Sequence, residues 1–137
     1  FDGVFHLAGL THPPTSFIDR VGFFNTNAIG SINICEAIQK YQPECMLMQC
    51  STPEVYGICP SEKEITEDFP LRPMNPYGVS KAAADLYILE RTRNNTLKAF
   101  ITRAGSHTGP GRPANYSISS DAIQIAKIFK IILVNKK

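Results

Sequence analysis

The chain has 137 residues, 43% hydrophobic and 19% charged, with a formal net charge of +2. That balance is that of a globular domain and not of a disordered chain, and basic residues scattered except at the end suggest no nucleic-acid footprint. Four cysteines at 35, 45, 50 and 59 form no C-x-x-C pair and no zinc spacing, no apolar run reaches ~18 residues, and no stretch of these 137 residues has the pattern of a secretory leader, so the expectation is reduced thiols, no metal, no membrane partner and a cytoplasmic location.

The opening Phe1-Asp-Gly-Val-Phe-His-Leu-Ala-Gly9 enters an apolar strand at once, which reads as the start of an internal piece. Residues 3–8 are predicted as a strand buried on both faces of a parallel sheet, followed by a Thr-His-Pro-Pro loop. Ile29, Ile32, Ile34, Ala37 and Ile38 recur at helical spacing over 27–40, and Pro43 forbids continuation. Cys45–Cys50 is the next apolar strand and ends in a polar turn at Ser51-Thr52-Pro53. From 57 to 76, prolines and charges without periodicity predict a loop too long to be an idle connector, hence a functional one. Pro76 suits the first turn of a helix to about Asn94, with Asn75 as its N-cap and Ala83, Leu86, Tyr87 and Leu89 as its apolar stripe. A third strand at 97–102 and a Gly/Pro-rich turn at 105–113 follow. Ser120 or Asp121 is then placed to cap a last helix through Ile123, Ala126, Ile128 and Phe129.

Strand and helix alternating three times predict an α/β fold, a Rossmann-like doubly wound parallel sheet with helices on both faces. The predicted division is 1–104 as part of a dinucleotide-binding domain and 105–137 as the start of a substrate-binding region. Ligands in such sheets bind at the carboxyl ends of strands, which directs attention to the residues after 8, 50 and 103.

Tyr77 and Lys81 stand four apart at the start of the predicted helix, on one face. A phenol with an ordinary pKa near ~10 is a poor base, and a neighbouring ammonium favours its phenolate. On its own, the same pattern also describes a packed tyrosine beside a solvated lysine. Ser51 and Thr52 place hydroxyls at a strand end, where they can reach a reacting oxygen or simply close a turn. Glu54 can act as a base or be an exposed turn residue.

Five stretches in order resolve these alternatives: His6-Leu-Ala-Gly9, Asn27-Ala-Ile-Gly-Ser31, Ser51-Thr-Pro-Glu-Val-Tyr-Gly57, Asn75-Pro-Tyr-Gly-Val-Ser-Lys81 and Arg103-Ala-Gly-Ser-His-Thr-Gly-Pro110. Together they resemble the extended branch of the short-chain dehydrogenase/reductase family over about residues 3–126. The resemblance implies an NAD- or NADP-dependent enzyme acting on a nucleotide-diphosphate hexose. Thr52, Tyr77 and Lys81 match the catalytic hydroxyl, tyrosine and lysine. Leu7, Ala8, Gly9 and His107, with Tyr77 and Lys81, match cofactor-binding positions, and Thr52 and Ser106 match substrate-binding ones. Asn27 matches an asparagine that bridges backbone groups near the site.

Glu54, two residues after Thr52, matches the base of the family's sugar 4,6-dehydratases. Residues 106–111 and 122–126 look most like GDP-mannose 4,6-dehydratases and the related GDP-4-keto-6-deoxymannose reductases, and Pro53 replaces the acidic residue of the dTDP-glucose dehydratases. Ser106 stands where the family usually has Asn. The alternatives within the class are a 4-epimerase or a reductase; outside it, an inert fragment or binding module. By resemblance, a homodimer or homotetramer is implied at full length, with the helix from 76 to 94 in the interface.

The family's glycine-rich fingerprint, whose backbone cradles a pyrophosphate at a helix N-terminus, has no counterpart in the sequence. Isothermal titration of the 137-residue chain with NADP is therefore expected to show no saturable heat at micromolar concentration; saturable binding there contradicts the expectation.

Overall fold

The computed structural model describes residues 1–60, 62, 64–105 and 107–134, and the chain divides into two compact units, Phe1–Gly105 and Ser106–Lys137. In the first unit the elements run β1 (Gly3–His6), α1 (Pro13–Ser16), α2 (Arg20–Phe24), a π-helical turn (Asn25–Ile29), α3 (Gly30–Tyr41), β2 (Met46–Cys50), a 3-10 turn (Pro53–Val55), α4 (Pro76–Arg93) and β3 (Ala99–Thr102). The second unit contains α5 (Ser117–Val134), which begins before the predicted caps at Ser120 and Asp121. Among the described residues no helix is long and apolar enough to cross a membrane, and no group of His, Cys, Asp and Glu could hold a metal ion.

β1, β2 and β3 form one parallel sheet in that order. Side chains alternate across a strand, and one set, Val4, Leu47, Ala99 and Ile101, meets Cys35 and Ile38 of α3 and Ile88 of α4. Leu47 and Ile88 are fully buried, and each burial contributes about 2 kcal/mol. The other set includes Phe5, Met48 and Phe100, which are register partners across the sheet, and Phe5 is 73% and Phe100 50% exposed. The expectation of a strand buried on both faces thus holds on one face only within this unit, because α3 and α4 both pack on the same side.

α4 starts where its sequence says it should. Asn75 Oδ1 accepts the Gly78 N–H at 2.7 Å, and Pro76 fills the first helical position, where no N–H is needed. The helix then buries Tyr77, Ser80, Lys81, Ala84, Asp85 and Ile88. The long segment from 57 to 76 has no strand or helix before Pro76 among its described residues, yet it is packed: Cys59, Phe69 and Leu71 lie against Val55, Tyr56 and Ala82. The turn into it requires glycine at 57, where φ is +68° and a Cβ would come within 1.9 Å of the Arg72 carbonyl oxygen.

His6 closes β1 inside the protein, with Nε2 3.1 Å from Ser31 Oγ. Ser31 donates its hydroxyl hydrogen to Asn27 O at 2.6 Å, so it accepts from His6 and the Nε2 of the ring carries the proton. Burial first, and the Lys81 charge second, hold the His6 pKa below its ordinary 6.5. A depressed folded pKa contributes stability that is complete above the unfolded value and is lost as pH falls through the folded one. The urea midpoint of the protein is expected to drop between about pH 7.5 and about pH 5.5, and His6→Gln, which retains an N–H for Ser31, is expected to flatten that dependence.

Candidate active site

Four segments converge at the carboxyl ends of β1 and β2. The first is Leu7–Leu10, leaving β1. Asn27 holds it from the π-helical turn: Oδ1 accepts the Leu10 N–H at 2.8 Å and Nδ2 donates to Leu10 O at 3.0 Å. The same Nδ2 donates to Ser80 Oγ at 2.9 Å, and Ser80 donates to Tyr77 O at 2.7 Å. A π-turn closes its hydrogen bonds one residue further along the chain than an α-helix, and such turns recur at functional sites. Here the turn carries a fully buried Asn27.

Lys81, only 5% exposed, joins the second segment, the end of β2, to the third, the start of α4. Its Nζ donates to Cys50 O at 3.0 Å, at the end of β2. A Cβ on Gly9 would lie 3.3 Å from this Nζ and 2.9 Å from Asn27 Oδ1, so the β1 exit runs directly against the ammonium. Burial lowers the Lys81 pKa, opposed by the Cys50 thiol and by Asp85.

Tyr77 is buried one turn earlier on α4. Its N–H donates to Ser16 Oγ at 3.1 Å, and its ring meets Phe23 edge to face with centroids 6.3 Å apart. α1 and α2 exist at this point for local reasons: Pro13 opens the first, and Asp19 Oδ1 accepts the Gly22 N–H at 2.8 Å to cap the second. Sequence periodicity missed both, since four or five residues are too few to show it.

The fourth segment is the 3-10 turn. Thr52, buried, caps it by accepting the Glu54 N–H at 3.3 Å. Glu54 is exposed, and its Oε2 accepts from Asn75 Nδ2 at 2.7 Å, at the start of α4. The turn packs closely on that helix, for a Cβ on Gly78 would come within 2.8 Å of Glu54 O. The structure therefore brings Leu7–Gly9, Thr52, Glu54, Tyr77 and Lys81 into one region. Ser106 lies outside the described residues, and His107 belongs to the second unit, where its assignment rests on sequence resemblance alone.

Sequence reasoning did not find the group that ties these segments together. Asp85, fully buried one turn after Lys81, accepts from Ser51 Oγ at 2.9 Å and from Arg103 Nε at 2.8 Å. Arg103 leaves β3 and also donates to Tyr56 Oη at 2.8 Å and Glu67 O at 3.1 Å. Burial raises the Asp85 pKa, opposed by Arg103 and Ser51. The spacing Lys81 to Asp85 was the available signal, but at i,i+4 it reads as a surface pair.

The sequence model of the NAD dependent epimerase/dehydratase family matches residues 1–134. GDP-6-deoxy-D-mannose reductase of Pseudomonas aeruginosa is 31% identical over 136 residues, covering 98% of this chain and 45% of that protein. dTDP-glucose 4,6-dehydratase of Streptomyces griseus is 37% identical over 109 residues, 80% of this chain and 33% of that protein. Among solved structures, RMD from Pseudomonas aeruginosa complexed with NADPH superposes with a TM-score of 0.87 at 31% identity, over 96% of this chain and 45% of that one. The chain thus spans less than half the length of these relatives.

Removing one partner of a buried ion pair leaves the other charge uncompensated, at a cost of about 3–5 kcal/mol. Asp85→Ala is expected to lower the unfolding free energy by that amount in urea titration, and Arg103→Ala by a similar one.

Proposed function

The chain belongs to the NAD dependent epimerase/dehydratase family, and we propose that the whole protein is a nucleotide-sugar 4,6-dehydratase that uses NADP or NAD and acts on a nucleotide-diphosphate hexose, GDP-mannose first among them. The observation that carries this reading is Glu54, held at the start of α4 on the same short turn as Thr52.

The residues present suit a nicotinamide cofactor. Lys81 uses one of its three N–H groups on Cys50 O, which leaves two for ribose hydroxyls. Leu7 and Ala8 are exposed beside it at the end of β1. Bound there, the cofactor would supply removal of hydride from C4 of the hexose and its return at C6.

Tyr77 takes the proton of the C4 hydroxyl, and the Lys81 charge favours the phenolate it needs. Thr52 accepts the Glu54 N–H and keeps its own O–H to donate to the same sugar oxygen. A ketone at C4 acidifies the C5 proton. Glu54 takes that proton and passes it to the hydroxide leaving C6, which departs as water. When hydride returns at C6, C5 is protonated from solvent, and Tyr77 gives up to solvent the proton it took from the C4 hydroxyl.

A second reading is a 4-keto reductase, favoured by the match to a GDP-6-deoxy-D-mannose reductase over 98% of the chain. In it Glu54 has no proton to take. At full length we further propose a homodimer or homotetramer. Phe17, Phe24, Met74 and Val79 line a surface groove of about 420 Å³ between α2 and the start of α4, apolar enough to take part in subunit contact.

Incubated at full length with GDP-mannose and NADP, the protein is expected to give a 4-keto-6-deoxy product, exchange the C5 hydrogen with solvent and accumulate no reduced cofactor. Glu54→Gln is expected to lower kcat by about 100-fold or more. Unchanged substrate with its C5 hydrogen retained refutes the dehydratase; stoichiometric NADPH oxidation with a 4-keto sugar identifies the reductase. dTDP-glucose assayed in parallel decides the nucleotide.

A further inference from the structure

Asn75 does two things with one side chain. Its Oδ1 accepts the Gly78 N–H at 2.7 Å, capping the helix that carries Tyr77 and Lys81. Its Nδ2 donates to Glu54 Oε2 at 2.7 Å. The two bonds fix the orientation of the amide, since turning it over would set oxygen against the carboxylate and N–H against N–H.

Helix capping alone does not call for this residue. Asn, Asp, Ser and Thr all cap well. Asp at 75 would accept the Gly78 N–H but would set a carboxylate against Glu54. Ser or Thr would cap with a hydroxyl on a shorter side chain and would bring no amide N–H to Glu54. Asparagine alone among the strong caps carries a separate amide donor beside its capping oxygen, so it donates to the carboxylate with a group the cap does not use. The donor is also neutral: among the described residues Glu54 has no ion-pair partner. The close contact of the turn with Gly78 keeps donor and acceptor together.

We propose that Asn75 is a positioning residue for proton abstraction: its amide clamps the Glu54 carboxylate to the first turn of α4, so that the base and the tyrosine are held in one frame. The inference rests on the reading of Glu54 as the C5 base. The amide itself takes no proton; it limits the directions in which the exposed carboxylate can swing, and so raises the fraction of time spent facing the reacting hydrogen.

The test compares Asn75→Asp, Asn75→Thr and Glu54→Gln in the full-length protein, with GDP-mannose, C5-deuterated GDP-mannose and NADP. Both Asn75 variants retain a strong cap, so their thermal unfolding is expected to stay near that of the parent. Each is expected to lower kcat for dehydration by about tenfold or more, with KM within about twofold. C4 oxidation should stay fast, so reduced nicotinamide accumulates transiently, and the deuterium isotope effect on kcat should grow as C5 deprotonation becomes limiting. A purely structural role would slow oxidation and elimination alike, with no change in isotope effect, and that result overturns the proposal. Full dehydratase activity in Asn75→Asp alongside an inactive Glu54→Gln overturns it while sparing the reading of Glu54. Full activity in Glu54→Gln, or no dehydration by the parent protein, overturns the reading of Glu54 and the proposal with it.

Discussion

The architecture of the site depends on a carboxylate shut away from water. Asp85 reaches from the middle of α4 to Ser51 at the end of β2 and to Arg103 at the end of β3, and Arg103 carries the connection on to Tyr56 and the 57–76 segment. A buried charge of this kind contributes little net stability relative to an apolar substitute, because desolvation offsets much of the attraction. Its contribution is geometric. The hydrogen-bonded ends of β2 and β3 are tied to the middle of α4, and Thr52 follows Ser51 directly in the chain. Lys81, one turn up the same helix, repeats the motif with a backbone carbonyl as its acceptor.

Much of this was readable from the sequence where the chemistry is local. Asn75 followed by Pro76 marks a helix start by two independent rules, and α4 begins there. The parallel order of β1, β2 and β3 follows from their alternation with helices. Thr52, Glu54, Tyr77 and Lys81, the four residues proposed as catalytic, were reached through motif resemblance and not through periodicity, and they stand on the 3-10 turn and the first two turns of α4. What could not be read was non-local or too short. The Asp85–Arg103 pair spans 18 residues along the chain and two elements. The π-turn adds a single residue to a helical repeat, which a pattern over 27–40 absorbs without trace.

The sheet teaches a similar lesson about apolar runs. Gly3–His6 reads as a strand buried on both sides, and its composition is right for that, but burial on the second side requires a second layer. In the first unit α3 and α4 supply one layer, and Phe5 and Phe100 stay open on the other face. A strand's sequence records the environment it is suited to; which part of the chain provides that environment is a separate question. The segment from 57 to 76 shows the reverse: without periodicity it still packs, through Cys59, Phe69 and Leu71.

The neighbour of Asn75 has a further consequence for chemical ageing. Asparagine side chains convert slowly to aspartate when the backbone nitrogen of the following residue attacks the amide carbonyl and closes a succinimide. Residue 76 is proline, whose nitrogen carries no hydrogen and is fully substituted, so that ring closure is blocked. The same proline that starts α4 therefore protects, over the lifetime of the molecule, the one amide whose spontaneous conversion to a carboxylate would set two negative charges face to face beside Tyr77.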